Sequence, residues 1–305
     1  MSAPAISVKG LRKSYGNVTA VDGIDLEIET GRVFALLGPT GAGKPTTVEI
    51  LEGYRDRDAG EVAVLGHDPA HPGRELRTRV GIVLQATGVD PYLTVRETIE
   101  LYRQGYPHPR PVDEVIEVVG LAEKSDERVV KLSGGQQRRL DVAVALAGDP
   151  DLLFLDEPTT GFDPGARRTA WGVVKNLEAL GKTIFLTTHY MDEAQNLAEE
   201  VAIISRGKIV AQGSPESLTR RSATSSIRWR TDRPDEVPAS VRHQARREGE
   251  SFLVTTNDPT RVVYELTRWA VDEGGDLQDL SVTRPSLEDV YLEITGATSE
   301  SGGRE

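Results

Sequence analysis

The sequence has no cysteine, which excludes a disulfide framework and a cysteine-type zinc site. It also lacks long apolar runs. The longest are about five residues, as in Val33–Leu37, whereas a membrane helix needs about 20, so no segment is expected to cross a bilayer. The opening MSAPAISVKG has neither the basic nor the apolar region of a secretory signal, and a cytoplasmic location is expected. An excess of positive charge is missing too: 36 basic residues against 48 acidic ones leave a net charge of −12. Nucleic-acid binders carry basic surfaces, so no nucleic-acid partner is expected. There is no internal repeat.

What is present is ordinary for a globular chain: 305 residues, 38% hydrophobic and 28% charged, enough for one large domain and a small one. Short apolar segments at 33–37, 151–155, 183–188 and 201–205 alternate with helical stretches. That alternation predicts an α/β fold with a mainly parallel sheet covered by helices. Thr94 and Glu97 form a T-x-x-E capping box, and Asp163-Pro164 places a capping carboxylate before a proline in the first helical turn.

After residue 213 the composition becomes rich in Ser, Arg and Pro, which predicts a junction. The expected organisation is a first domain over 1–215, a linker at 216–225, a small α+β domain at 226–296 and a disordered tail at 297–305. In the small domain SFLV is an expected strand. Pro259 to Asp272 is an expected helix, and SLEDVYLEI another, capped by Ser286 and Asp289.

Three motifs carry chemistry. Gly38-Pro39-Thr40-Gly41-Ala42-Gly43-Lys44 follows an apolar strand with the G-x-x-x-x-G-K spacing of a phosphate-binding loop. Its glycines free backbone N–H groups to curl around phosphate oxygens, Lys44 reaches the terminal phosphates, and the next helix aims its positive end at the same anion. Such a turn can also exist without a ligand, but the strand and the lysine favour phosphate. The pattern then wants a Ser or Thr whose hydroxyl binds Mg²⁺. This chain has Pro45, without hydroxyl or N–H. Proline is tolerated in a first helical turn but disfavours helical angles at Lys44. Thr46 and Thr47 bring hydroxyls one and two positions late.

In the second motif, the apolar strand before Asp156-Glu157 puts two acids at its end. Asp156 suits a metal ligand and Glu157 an orienter of attacking water. Alone, the segment is as readily a buried strand with two solvated acids. The third motif is Leu132-Ser133-Gly134-Gly135-Gln136, where Ser133 reads as an N-cap opening a second anion-binding helix terminus or simply as a capped helix.

The conjunction of these motifs over roughly residues 5–215 resembles the ATPases of ABC transporters: a P-loop, then LSGGQ, then a hydrophobic strand ending in Asp-Glu. The resemblance implies a P-loop ABC ATPase fold with an antiparallel β part and a helical subdomain near 86–145. It implies ATP and Mg²⁺ as cofactors and a second copy of the chain, because each ATP lies between one subunit's P-loop and the other's signature. By position, Tyr15 resembles the aromatic that stacks on adenine, and Gln85 the glutamine that links the metal site to the membrane partner. Gly161-Phe162-Asp163 resembles the loop that crosses between subunits, with Phe162 in place of a usual leucine. His189 resembles the γ-phosphate switch histidine.

RPSLEDVYLEITG resembles the C-terminal extension of ABC-2 type exporter ATPases, including the daunorubicin-resistance type. The implied role is ATP hydrolysis powering drug or antibiotic efflux through a separate permease, with the chain peripheral on the inner face of the membrane. The segment Thr87–Thr94 around Gln85 is the implied docking surface. ABC proteins that act on nucleic acid or the ribosome usually carry two cassettes or a long coiled-coil insertion, and neither is present. A nucleotide-binding regulator with impaired hydrolysis is the alternative that Pro45 raises.

Overall fold

The structure is a computed structural model that describes residues 3–83, 88–221, 224–283 and 286–295. The chain divides into two compact units, Met1–Pro215 and Glu216–Glu305.

The first unit is built on a six-stranded sheet. Its strands are β3 (Val33–Leu37), β5 (Val80–Val83), β6 (Leu152–Asp156), β7 (Thr183–Thr188), β8 (Glu200–Ser205) and β9 (Lys208–Gly213). The order is β5-β6-β7-β3-β8-β9, parallel except for the antiparallel β8–β9 edge. β3 and β7 are buried at every residue, as expected for parallel strands covered on both faces. Phe34 and Phe154 flank Phe185 at ring-centroid distances of 5.3 and 5.5 Å, at the centre of the core. The threonines of β7 are β-branched and suit a strand, and their hydroxyls have partners. Thr183 accepts from Gly31 N at 2.9 Å and Thr188 from Tyr190 N at 2.9 Å.

An antiparallel sheet of order β2-β1-β4 adjoins this core, formed by β1 (Ile6–Tyr15), β2 (Val18–Ile28) and β4 (Ala59–Val64). Helix α1 (Lys44–Leu51) follows β3, and α2 (Arg74–Arg79) precedes β5. Among the described residues, three α-helices lie between β5 and β6: α3 (Val95–Arg103), α4 (Val112–Val118) and α5 (Gly134–Leu146). α3 opens on a formed Thr94–Glu97 capping box. α6 (Pro164–Ala179) and α7 (Met191–Leu197) flank β7. The α/β class read from the sequence is the one observed. The expected strand at 151–155 is observed one residue later, at Leu152–Asp156, and Asp151 pairs with Arg79 at 2.6 Å.

Residues 216–221, read as part of the linker at 216–225, instead continue from Pro215 as helix α8 (Pro215–Arg221). Glu216 opens it and lies 3.8 Å from Arg220 one turn on, the i,i+4 pairing that supports a helix. In the second unit the sheet order is β11-β12-β10-β13, all antiparallel, from β10 (Ser225–Arg230), β11 (Arg246–Glu248), β12 (Ser251–Thr256) and β13 (Gln278–Thr283). Its core joins Trp229 and Val254 of the sheet to Val241 of α9 (Ala239–Arg242) and to Val262, Leu266 and Trp269 of α10 (Pro259–Asp272). α11 (Leu287–Thr295) starts where Ser286 Oγ accepts from Asp289 N at 3.2 Å. The expected tail at 297–305 lies outside the described residues.

Candidate active site

Three loops leave the C-terminal ends of β3, β6 and β7, which are neighbours in the sheet. That edge is where parallel α/β sheets place ligands. The loop after β3 is 38–44. Two of its glycines have no substitute. A Cβ on Gly38 would meet Ile204 O at 2.5 Å, and one on Gly43 would meet Ala20 O at 2.4 Å at a backbone φ of 110°. Gly41 also has positive φ, and a Cβ there would face open space.

Lys44 begins α1 rather than leaving the helix as the following proline suggests. It is held there by its own side chain: Nζ donates to Gly38 O at 2.6 Å and Pro39 O at 3.3 Å. The residue is 2% exposed. Burial lowers the ammonium's proton affinity, and Glu157 and Asp156 oppose that shift. Pro45 is exposed in the first turn. The hydroxyls behind it are occupied elsewhere, since Thr47 Oγ1 donates to Gly43 O at 2.9 Å and Thr46 Oγ1 is 3.5 Å from Tyr15 Oη. Arg55 lies over the Tyr15 ring at 5.2 Å, and Tyr15 is 41% exposed.

The loop after β6 carries the acids. Thr187 Oγ1 donates to Asp156 Oδ1 and accepts from Glu157 N at 3.0 Å, so one buried threonine fixes both. Arg138 of α5 donates to Asp156 O at 2.8 Å. Glu157 adopts φ 44°, a left-handed backbone that costs a non-glycine residue about 1–2 kcal/mol. Its carboxylate is a meeting point. Oε1 lies 3.7 Å from Lys44 Nζ and 3.4 Å from His189 Nδ1, and Oε2 accepts from Thr160 Oγ1 at 3.1 Å. Lys44 and His189, from two separated segments, therefore both approach the Glu157 carboxylate of a third.

Ser133 caps α5 in a complete box with Gln136: Ser133 N donates to Gln136 Oε1 at 2.8 Å and Gln136 N to Ser133 Oγ at 3.3 Å. An open cleft of about 690 Å³ runs between Ser133–Gly135 and the segment Glu157–Asp163. Leu132, the other member of this motif, is buried. Asp163 caps α6 by accepting from Gly165 N at 2.8 Å and Ala166 N at 2.9 Å, and these bonds lower its carboxyl affinity for protons. Gly161 has φ 80° and Phe162 follows it on the cleft wall. Gln85 and Thr87 lie outside the described residues.

The sequence reading missed Thr187, Arg138 and Glu52. Nothing distinguishes Thr187 from its neighbours in TIFLTT before the register Asp156↔Thr187 is known. Arg138 sits just past LSGGQ, and its position was the only available signal. Glu52 ends α1, and burial, with Asp156 and Glu49 adding to it, pushes its carboxyl up to about 8. Among the described residues no group of three or more His, Cys, Asp or Glu forms a metal site. A lone carboxylate, Asp156, suits Mg²⁺ that keeps water and phosphate ligands. The loop and buried lysine fit nucleotide phosphates, whereas the Mg²⁺ fit lacks the hydroxyl that Pro45 removes.

Residues 21–160 match the profile of the ABC transporter family. The chain is 39% identical over 307 residues to Nod factor export ATP-binding protein I of Ralstonia nicotianae, covering 97% of this chain and 95% of that one. It is 36% identical over 315 residues to daunorubicin resistance ATP-binding protein DrrA2 of Streptomyces coeruleorubidus, covering 99% and 98%. Among solved structures, cbiO1 of Clostridium perfringens, part of the ABC transporter complex cbiONQ, superposes with a TM-score of 0.63 at 26% identity over 72% of this chain and 92% of that one. The ATP-binding cassette MJ0796, a dimer bound to ADP and Pi, gives 0.60 at 25% identity over 68% and 98%.

Proposed function

The chain belongs to the family of ABC transporter ATP-binding proteins, and from that membership we propose that it is the ATP-hydrolysing subunit that powers an exporter through a separate membrane permease. The observation that carries the reading is the convergence of Lys44 and His189 on the Glu157 carboxylate at one end of β3, β6 and β7. Phosphoryl transfer needs a cation at the phosphates and an oriented nucleophile. Lys44 and the backbone N–H groups of 38–44 bind the phosphates. Glu157 orients the attacking water and holds its proton, and His189 fixes the γ-phosphate end. Mg²⁺, when bound, neutralises phosphate charge, with Asp156 and Gln85 as its protein ligands. Tyr15 stacks on the base.

The capped signature helix at Ser133 and the loop Gly161-Phe162-Asp163 line an open cleft on the same unit. A second copy, presenting its own P-loop to that cleft, completes each ATP site. Among the described residues no helix is long and apolar enough to cross a membrane, so transport falls to the permease, and the chain works at the inner face of the membrane. The docking surface surrounds Gln85 and the segment Thr87–Thr94, in whose described part Tyr92 is 73% exposed. Full-length similarity to a drug-resistance protein and to a Nod factor export protein favours an exported cargo, with drug or antibiotic efflux the preferred reading. Pro45 supports a second reading, a nucleotide-binding regulatory ABC protein with impaired hydrolysis.

Mixing two dead variants tests the shared site. Lys44→Ala and Ser133→Arg are each expected to abolish ATP hydrolysis. A mixed dimer puts both lesions into one site and leaves the other intact, so hydrolysis should return on co-expression. No return in a purified mixed dimer sinks the sandwich. Permease dependence is tested by affinity capture of the tagged chain from its native membranes, where absence of an integral-membrane partner argues against the exporter reading.

A further inference from the structure

Glu193 of α7 is a buried carboxylate with no place in the mechanism above. It is 0% exposed. Its Oε1 accepts from Thr159 Oγ1 at 2.8 Å, and Thr159 is itself 1% exposed. Its Oε2 is buried with no partner at hydrogen-bond distance, as is Trp171 Nε1 of α6. Thr188, Trp171 and Arg167 nevertheless stand close enough to favour the charged form, against a burial effect that raises the carboxyl's proton affinity. Replacing both members of a buried polar pair such as Thr159 and Glu193 by apolar side chains of similar shape is often nearly neutral, whereas removing one member alone is destabilising. A half-satisfied buried carboxylate is therefore a poor device for stability alone.

Its connections suggest another use. Thr159 lies two residues after Glu157, and Thr159 O accepts from Phe162 N at 3.1 Å, so the same residue shapes the turn that ends in Asp163. Glu193 lies four residues after His189, on the helix that this loop feeds. The Thr159–Glu193 bond thus joins the loop bearing Glu157 to the loop bearing His189. We propose that Glu193 is a positioning residue that clamps these two loops together, so that the water-orienting carboxylate and the γ-phosphate histidine keep one fixed separation. The inference rests on the roles proposed for Glu157 and His189.

The test uses the full chain and four variants: Glu193→Gln, Glu193→Met, Thr159→Val and the Thr159→Val/Glu193→Met double. Hydrolysis is measured as kcat and KM for ATP, beside the thermal midpoint. Glu193→Gln keeps an acceptor for Thr159 and should retain kcat within about threefold. Each bond-breaking single variant should lower kcat by roughly tenfold or more with KM within about twofold, the signature of lost transition-state geometry. In the double variant both polar ends are apolar and shape-matched, so the thermal midpoint should recover while kcat stays low. Recovery of kcat together with the midpoint would show the bond to serve packing only, and unchanged kcat in a folded single variant would equally overturn the clamp. If Glu193→Met does not fold, Thr159→Val reads the same bond. Glu157→Gln and His189→Ala run in parallel. Activity in both means the underlying roles are wrong, whereas loss in both with full activity in Thr159→Val rejects the clamp alone.

Discussion

His189 Nδ1 lies 3.4 Å from Glu157 Oε1, although the two residues belong to loops after different strands. The pairing follows from the topology: β6 and β7 are parallel neighbours, with Asp156 opposite Thr187, so the chain emerges from both at the same level. Lys44 reaches the same carboxylate oxygen at 3.7 Å from the adjoining β3 side. One carboxylate therefore faces both a buried lysine and an imidazole, and Glu157 adopts a left-handed backbone at that placement.

Glu157→Gln should leave fold and nucleotide binding intact and lower hydrolysis by roughly 10²-fold or more, since the amide cannot take a proton from water. With hydrolysis blocked, ATP should hold a dimer together. Size-exclusion chromatography of the variant with and without ATP reads this directly. A monomer in ATP, or hydrolysis at the parent's rate in a preparation free of other ATPases, would remove Glu157 from the catalytic role.

Thr187→Val removes a hydroxyl that donates to Asp156 and accepts from Glu157 N. The shape is kept, but a buried N–H loses its partner, a loss of about 1–3 kcal/mol. The thermal midpoint should fall by several degrees. Hydrolysis should drop by more than the stability loss explains when both proteins are assayed well below their midpoints. Unchanged hydrolysis would mean that Asp156 and Glu157 are held by other contacts.

Glu52 supplies a pH dependence. Its folded-state carboxyl is raised to about 8 from an ordinary 4.5. A raised value means that the folded protein binds the proton more tightly than the unfolded chain does. The stability gained is full below about pH 4.5 and is lost as pH climbs toward 8. With solvent screening, about 2 kcal/mol of pH-dependent stability is expected. Glu52→Gln should flatten this slope, so its midpoint should exceed that of the parent most clearly at pH 8.5. Equal slopes for the two proteins between pH 5 and 8.5 would rule Glu52 out as the source.

The P-loop, the signature helix and the Asp-Glu strand were legible because each is a local pattern: strand, glycine spacing, cap. Helix α10 matched its expected limits because Asp258, Pro259 and the apolar spacing all mark it locally. What sequence could not show was contact across strands. Thr187 under Asp156, Arg138 on the Asp156 carbonyl and Thr159 on Glu193 depend on sheet order and register, which no single segment encodes. The helix at 215–221 was hidden by Ser, Arg and Pro, a composition that reads as a loop although Pro215 stands at a helix start, where proline is tolerated.

Pro45 is where the chain departs from the P-loop pattern, and the structure sharpens the consequence. Thr47 cannot simply stand in, because its buried hydroxyl donates to Gly43 O at 2.9 Å. Thr46 Oγ1 is 3.5 Å from Tyr15 Oη, on the side of the aromatic. A Ser or Thr at position 45 would add a backbone N–H for a phosphate oxygen and a hydroxyl for Mg²⁺. A hydrogen bond to a charged group is worth about 1.5–3 kcal/mol, or roughly ten- to hundredfold in an equilibrium or rate. Lys44, the glycines and the helix terminus remain, so nucleotide binding without Mg²⁺ should persist. Pro45 is exposed and early in α1, so Pro45→Thr should fold normally. It should lower the Mg²⁺ concentration for half-maximal hydrolysis and raise turnover by roughly tenfold, with Mg²⁺-free nucleotide affinity changing less than either. The comparison is a Mg²⁺ titration of ATP hydrolysis for both proteins at equal concentration, beside nucleotide binding in chelator. Superimposable titrations would show that Pro45 is fully compensated, and the reading as a regulator with impaired hydrolysis would then lose its physical basis.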